Sequence, residues 1–295
     1  MLKFFVLRII IKIMEKIKNI HKRRCINLKE KVEGNLIIIG GAEDKNGDKK
    51  ILKEVSGMLG KNNDILVIAT IASEIPEELG CEYQRIFEEL GIKNIRILNI
   101  KNRKDASNIS NITIIEDASM IFFTGGDQLR ITSLIGGTPL YSKIQELYKN
   151  GCTFVGTSAG ASVMSDTMIV TGPDEESPKK CTLKMAPGLG FIKGVIIDQH
   201  FAQRGRIGRL LVGIAENPQS LGIGIDEDTA IIVKENGEFT VVGSGAVYII
   251  DGSNISYSNV SEQHPDEVLS MFDVKLHVLK CGDNFNLLNK SAYNI

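Results

Sequence analysis

From residue 34 onward, short apolar runs alternate with amphipathic segments. Continuous apolar runs that end in glycine or polar residues are typical of parallel strands buried on both faces. Apolar spacing between the runs predicts helices around residues 81–90 and 142–150. Strands alternating with helices predict an α/β fold with a mostly parallel sheet and helices on both faces. The predicted strands are residues 34–41, 64–70, 94–100, 118–124 and 151–157.

The residues that follow these strands are candidates for function. Active sites of open parallel sheets lie at the carboxyl ends of the strands. Gly40-Gly41, Thr70, Gly125-Gly126 and Ser158 all fall at such ends. We therefore expect the functional residues at this edge of the sheet.

Residues 156–160 read Gly-Thr-Ser-Ala-Gly, a G-x-S-x-G pattern between a predicted strand and a predicted helix. On such a turn the serine hydroxyl is exposed and the neighbouring backbones crowd together, so Gly156 and Gly160 must be small. The N–H of Ala159 would point towards a developing oxyanion. A glycine-rich turn with an incidental serine is the alternative. The flanking pattern favours Ser158 as a nucleophile without settling the matter.

A second glycine turn, Gly125-Gly126-Asp127-Gln128, ends the fourth predicted strand. The N–H of Gly126 could supply a second oxyanion donor, and Gln128 could bind substrate. Alternatively, Asp127 caps the helix that follows. Both interpretations remain open from the residues alone.

His200 is the best candidate for a base, because it lies at the end of a predicted strand, residues 195–198, which ends on Gln199-His200-Phe201. The chain has only four histidines; His21 lies in the N-terminal tail, and His264 and His277 lie near the end. Three arginines follow within a helix-like segment, and they form either a solvated face or a fork-shaped site for carboxylates. These are Arg204, Arg206 and Arg209.

An acidic turn between two predicted strands offers a partner for His200. Asp226 or Glu227 could orient the imidazole as the third member of a triad.

Turn signals predict antiparallel hairpins at the sheet edge over residues 231–258, and residues 171–187 are predicted to be a loop.

The first 30 residues differ from the rest. Arg8 and Lys12 interrupt their apolar run, which has no small-residue cleavage site and is too short and charged to span a bilayer. We expect a poorly ordered extension or an accessory helix over residues 1–30, and a single α/β domain over residues 31–295.

The composition excludes several classes of protein. With 43% hydrophobic and 24% charged residues, the chain is an ordinary globular protein. A net charge of -1 gives no support for a nucleic-acid or acidic-membrane partner. Five scattered cysteines without C-x-x-C spacing argue against a disulfide framework or a zinc site, and favour a reducing compartment.

The order serine, histidine, acid differs from that of α/β-hydrolases. Together with Gly-Gly-Asp-Gln, Gly-Thr-Ser-Ala-Gly-Ala and Asp-Gln-His-Phe-x-x-Arg-x-Arg-x-x-Arg-Leu, it resembles the cyanophycinases of serine peptidase family S51. Residues 40–44, Gly-Gly-Ala-Glu-Asp, are similar to the opening strand end of that family. The resemblance runs from about Gly34 to about Ile250, and the arginine series is its most specific element.

The resemblance implies a flavodoxin-like αβα sandwich, like that of class I glutamine amidotransferases. It implies Ser158 as nucleophile, His200 as general base and acid, and Glu227 as the residue that orients His200. It also implies cyanophycin as substrate, β-Asp-Arg dipeptides as products, an acyl-enzyme, no metal or cofactor, a homodimer and a cytoplasmic location. The implied substrate-binding residues are Gln128, Asp198, Gln199, Arg204, Arg206 and Arg209.

Three alternatives remain at this point. An α-aspartyl dipeptidase-type peptidase would use the same triad, although the arginine series weighs against it. A non-catalytic amidotransferase-like module that binds a small ligand or a partner need not keep Ser158, His200 and Glu227. A thiol enzyme would need cysteine at the elbow, and Cys152 lies six residues too early.

Overall fold

A computed structural model describes residues 34–60, 63–174, 176–262 and 267–294. The expected extension over residues 1–30 lies outside the described residues, and the boundaries of the single domain stay a prediction. The strands are β1 (Leu36–Ile39), β2 (Leu66–Ala69), β3 (Ile95–Leu98), β4 (Met120–Phe123), β5 (Thr153–Thr157), β6 (Thr167–Thr171), β7 (Lys184–Pro187), β8 (Val195–Gln199), β9 (Leu221–Ile225), β10 (Thr229–Val233), β11 (Glu238–Gly243), β12 (Val247–Asp251), β13 (Tyr257–Ser258), β14 (Met271–Phe272), β15 (Lys275–Leu279), β16 (Asn284–Asn286) and β17 (Ser291–Tyr293).

The helices are the second component of the α/β fold. Two of them begin with proline, which suits the first turn because its missing N–H would have no partner there. These two confirm the predicted helices and extend them towards the N-terminus. The helices are α1 (Lys50–Gly57), α2 (Pro76–Glu89), α3 (Ile109–Ile115), α4 (Gln128–Ile135), α5 (Pro139–Lys149), α6 (Ala159–Ser162) and α7 (Ile207–Glu216), with a 3₁₀ turn at Asp105–Ser107. Within the described ranges, no helix is both long and apolar enough to cross a membrane.

Among the described residues, the central sheet has nine strands in the order β17-β16-β11-β10-β1-β5-β4-β2-β3. The five strands from β1 to β3 are parallel, as predicted. On the other side of β1, strands β10, β11, β16 and β17 add antiparallel pairs. The arrangement confirms the α/β fold, and the β10–β11 pair is a predicted hairpin.

A second sheet has, in the part of the chain that the structure describes, four strands in the order β15-β12-β9-β8. Strands β8 and β9 are parallel, and β12 and β15 pair antiparallel. The prediction that residues 231–258 all form hairpins at one sheet edge is therefore wrong for β12, which pairs with β9. The predicted loop over residues 171–187 is also wrong in part, because β7 pairs with β6.

Both faces of the central sheet are covered. Along β1, Leu36 and Ile38 belong to one apolar cluster, and Ile37 and Ile39 belong to another on the opposite face. All four side chains are fully buried. Because side chains on both faces of β1 are buried, every position of the strand is apolar, and the sequence does not alternate between apolar and polar residues.

The turn after β5 is packed too tightly for larger residues. A Cβ on Gly156 would lie 2.2 Å from the carbonyl oxygen of Gly160. A Cβ on Gly160 would lie 2.3 Å from the carbonyl oxygen of Phe123, at the end of β4. The crowding predicted for the two glycines of the G-x-S-x-G pattern is therefore confirmed, and it aligns the end of β5 with α6.

Candidate active site

Three successive carbonyl groups at the end of β1 hold the three segments of the site. The oxygen of Ile39 accepts the N–H of Ser158 at 3.1 Å, and that of Gly40 accepts the N–H of His200 at 2.8 Å. The oxygen of Gly41 accepts the N–H of Asp228 at 2.9 Å. Segments that follow β5, β8 and β9 therefore converge on one short stretch of backbone. We call residues 39–41 the β1 hub.

Ser158 occupies the turn between β5 and α6 with φ 53° and ψ −112°. A positive φ is unfavourable for a residue with a Cβ, so the surrounding structure must hold it there. The carbonyl of Ser158 accepts the N–H groups of Ala161 and Ser162, and these are the first hydrogen bonds of α6. The side chain is half-buried and reaches the histidine that follows β8.

The imidazole of His200 connects the serine to a carboxylate. Its Nε2 lies 2.9 Å from the Oγ of Ser158, and its Nδ1 lies 2.6 Å from Oε1 of Glu227. A carboxylate only accepts, so Nδ1 carries the proton and Nε2 is free to accept the serine hydroxyl. A Cβ on Gly41 would lie 2.4 Å from Cε1 of His200, so a side chain at this position of the hub would collide with the imidazole.

The pKa of His200 is lowered from its ordinary value. Burial is the main cause, since it disfavours the imidazolium. The hydrogen bond and the charge of Glu227 raise the pKa, whereas the charges of Arg204 and Arg206 lower it further. The net effect keeps the imidazole neutral near pH 7, which is the state that can accept a proton.

The two acidic neighbours in the turn after β9 have different contacts. Glu227 contacts His200, and its own N–H donates to Oε1 of Gln203 at 3.0 Å. The buried carboxylate of Asp226 accepts the N–H groups of Ala202 at 2.9 Å and Ala246 at 3.0 Å. Asp226 therefore joins two turns, and of the two candidates only Glu227 contacts the imidazole.

The glycine turn after β4 lies beside the serine. A Cβ on Gly125 would lie 3.4 Å from the Cβ of Ser158. Gly126 has φ +140°, and a Cβ there would lie 2.1 Å from the carbonyl oxygen of Ala72. Asp127 caps α4 by accepting the N–H of Leu129 at 2.8 Å. The capping interpretation is therefore correct, and the turn also borders Ser158. The roles of the Gly126 and Ala159 N–H groups as oxyanion donors stay a prediction.

Gln128 is tied to a neighbouring strand. Its amide nitrogen donates to the carbonyl oxygens of Ile169 at 2.9 Å and Val170 at 3.1 Å, both in β6. These bonds use the two N–H donors of the amide. Only the side-chain oxygen is left for a substrate, so the predicted contact would have to be made through that atom.

Two of the three candidate arginines belong to a buried ion-pair network. Arg209 binds Asp198 through Nε at 2.6 Å and Nη2 at 2.5 Å, and its Nη1 lies 3.1 Å from Asp174. Arg206 binds Asp174 through Nε at 2.9 Å and the carbonyl oxygen of Gln199 through Nη1 at 2.7 Å. Arg206, Arg209 and Asp198 are all buried, so the interpretation as a solvated helix face is wrong for these arginines.

The network also contains a residue that sequence reasoning missed. Asp174 lies after β6, and its side chain is 39% exposed, whereas those of Arg206 and Arg209 are 6% exposed. No local pattern distinguishes this aspartate from the two glutamates that follow it in the sequence, because its partners are more than 30 residues away. By contrast, Arg204 is exposed and takes part in none of the ion pairs found among the described residues.

Neither a metal site nor a reactive thiol is found near the serine in the described part of the chain. No cluster of three or more histidine, cysteine or acidic side chains there could hold a metal ion. Burial raises the pKa of Cys152 to about 12, which keeps this thiol protonated. The thiol-enzyme alternative therefore gains no support from this cysteine.

The family model and the similar proteins that match this chain agree with one another. The model of peptidase family S51 matches residues 36–242. The chain is 39% identical over 260 residues to a cyanophycinase of Geminocystis herdmanii (strain PCC 6308), which covers 88% of this chain and 96% of the relative. It is also 39% identical over 258 residues to a cyanophycinase of Trichormus variabilis (strain ATCC 29413 / PCC 7937), with 87% of each chain covered.

A solved structure supports the fold. The crystal structure of a peptidase from an acI-B1 Actinobacterium matches with a TM-score of 0.60 and 23% sequence identity. The match covers 82% of this chain and 96% of that chain. At this level of identity the likeness shows the shared fold.

We predict that the pKa of His200, measured by NMR titration, lies below 6.5. Arg204→Gln should raise this pKa, because it removes a positive charge that disfavours the imidazolium. Glu227→Gln should lower it, because the charged partner of the imidazolium is lost. Arg85→Gln removes an exposed charge on α2 and serves as the matched control. A pKa above 6.5 in the unmodified protein, or no shift with Arg204→Gln, would contradict the electrostatic description.

Proposed function

The chain belongs to peptidase family S51 and is a serine-type peptidase, and we propose that it is an exopeptidase that hydrolyses cyanophycin to β-Asp-Arg dipeptides. The observation that carries the proposal is the contact of Ser158 with His200 and of His200 with Glu227, on a nucleophile elbow in a member of this family. Cyanophycin is proposed because the curated relatives at 39% identity are cyanophycinases.

In the proposed reaction, the Oγ of Ser158 attacks a backbone carbonyl carbon of the substrate. Nε2 of His200 takes the hydroxyl proton as the Oγ–C bond forms, and it then protonates the leaving amine as the C–N bond breaks. The product of this half-reaction is an ester on Ser158. Water then attacks the ester with His200 again as base, which releases the acid and restores the serine.

Glu227 and two backbone N–H groups complete the proposed mechanism. The carboxylate of Glu227 holds the proton on Nδ1 and stabilises the imidazolium that forms during attack. We assign the negative oxygen of the tetrahedral intermediate to the N–H groups of Gly126 and Ala159. This assignment is supported by the position of the glycine turn beside Ser158 and by the position of Ala159 at the start of α6.

The charges beside the triad suit the proposed substrate. Each repeat unit of cyanophycin carries the guanidinium and the free carboxylate of an arginine linked to an aspartate side chain. Arg204 is an exposed cation near His200, and Asp174 is the exposed carboxylate of the ion-pair network. We propose that Arg204 binds the substrate carboxylate and Asp174 its guanidinium, because bonds between opposite charges are the stronger ones.

Within this proposal Arg206 and Arg209 act indirectly. Their guanidinium groups bind Asp198 and Asp174, so they hold β8 and the loop after β6 in place rather than presenting free donors. Gln199 is held by the same network through Arg206. We further propose a homodimer in the cytoplasm, which the similarity to cyanophycinases suggests and which suits the free cysteines of the described residues.

We predict that the purified protein releases soluble β-Asp-Arg from insoluble cyanophycin, with the products identified by mass spectrometry. Ser158→Ala should release none above background, because it lacks the attacking oxygen. Cleavage of small Asp-X dipeptides without attack on the polymer would instead favour the α-aspartyl dipeptidase alternative. Inactivity on both substrates would favour the binding-module alternative.

We predict that Arg204→Gln and Asp174→Asn each raise KM for cyanophycin, because each removes one charged partner of the substrate. Loss of such a charge-assisted hydrogen bond is worth about 1.5–3 kcal/mol, or about tenfold or more in KM. Assays above pH 8 keep His200 neutral in all variants, so its titration does not contribute. Arg85→Gln is the control. Unchanged KM in both variants would show that these charges do not bind the substrate.

A further inference from the structure

One buried carboxylate under the elbow has no role in the triad chemistry. Glu43, two residues after the β1 hub, is 4% exposed. Its Oε2 accepts the hydroxyl of Thr157 at 2.5 Å, and its Oε1 accepts the hydroxyl of Tyr83 on α2. Thr157 is the last residue of β5 and directly precedes Ser158. The carboxylate is therefore one side chain away from the proposed nucleophile.

The partners of Glu43 are neutral, which makes its burial unfavourable. Among the ion pairs of the described residues, none includes this carboxylate, and both of its hydrogen-bond donors are hydroxyl groups. Burial and the charge of Glu43 raise the pKa of Tyr83 well above its ordinary range, so the tyrosine stays a donor. A buried carboxylate without a cation is costly compared with an apolar side chain of similar volume. Its presence here suggests a function other than stability.

The location of Glu43 indicates what that function is. The backbone of the β1 hub already fixes Ser158 and His200 through the carbonyl oxygens of Ile39 and Gly40. Glu43 belongs to the same short segment and binds the side chain of Thr157, the residue before Ser158. A backbone rotation at Thr157 would move the strained Ser158 away from the imidazole, and two hydrogen bonds from one segment oppose that rotation.

We propose that Glu43 is a positioning residue that holds the nucleophile elbow through Thr157, and that it acts on the reaction rate rather than on stability. The inference rests on the proposed role of Ser158 as nucleophile. The Gly-Gly-Ala-Glu-Asp segment would then have two functions. Its backbone places the triad, and its glutamate maintains the conformation of the attacking residue.

The test measures the second-order rate at which a fluorophosphonate probe labels Ser158, together with the thermal midpoint of unfolding. Glu43→Gln keeps the side-chain volume but cannot accept both hydroxyl groups with the same geometry. We expect labelling to slow about tenfold or more, since displacement of a reacting group by about 1 Å can cost up to about 100-fold. The thermal midpoint should not fall, because a buried charge is removed.

A matched control and two further variants complete the experiment. Glu82→Gln makes the same chemical change at a neighbouring, half-buried position on α2 that pairs with Lys45, and it should label at the original rate. Thr157→Val removes the hydroxyl and should reproduce the slow labelling. Thr157→Ser keeps the hydroxyl and should label at the original rate. On substrate, Glu43→Gln should lower kcat with little change in KM and no change in the acidic limb of the pH profile.

The outcomes separate this inference from the proposed function. Labelling of Glu43→Gln at the original rate would overturn the positioning role. Slower labelling together with a lower thermal midpoint of unfolding would overturn it as well, because the loss of rate would then follow a loss of stability. If Glu43→Gln does not fold, Thr157→Val and Thr157→Ser decide, and equal labelling of these two would overturn it. Failure of the unmodified, folded protein to be labelled at Ser158 would instead overturn the proposed nucleophile, and the positioning role with it.

Discussion

The site depends on the carbonyl groups of residues 39–41, which bind the backbones of three distant segments. β1 lies between a parallel strand, β5, and an antiparallel strand, β10, so its end is where the two halves of the central sheet meet. The same backbone receives the segment after β8, which belongs to the second sheet. Two sheets are therefore joined at one point, and the serine and histidine come from different sheets. Any shift of β1 along its axis would move both.

Charge compensation accompanies the burial of the two arginines that follow β8. The guanidinium groups of Arg206 and Arg209 are paired with the buried Asp198 and the partly exposed Asp174, so two positive and two negative charges lie together. Such a network stabilises less than its short distances suggest, because its buried charges lose hydration. It does hold the loop after β6 against α7, beside the strand that precedes His200. The network therefore affects the shape of the site more than the stability of the fold.

Much of the central sheet could be predicted from the sequence, because continuous apolar runs are a local signal. The G-x-S-x-G turn was also predictable, because the motif itself is local, although Gly160 is crowded by Phe123 on the distant β4. The second sheet was not predicted, because its strands pair across long stretches of chain that carry no local pattern. The choice of Glu227 over Asp226 likewise depends on which turn each carboxylate reaches. The partners of Asp174 are equally distant in sequence, so the buried network and its exposed member appear only in the folded chain.

An acyl-enzyme is the most direct consequence of the proposed attack by Ser158 with His200 as base. Acid quenching during turnover of cyanophycin, followed by mass spectrometry of the peptides, would detect such an ester. We predict a substrate-derived adduct on the peptide that contains Ser158, absent when Glu227→Gln or His200→Ala slows its formation. Turnover without any adduct under conditions where deacylation is rate-limiting, or an adduct on another residue, would contradict it.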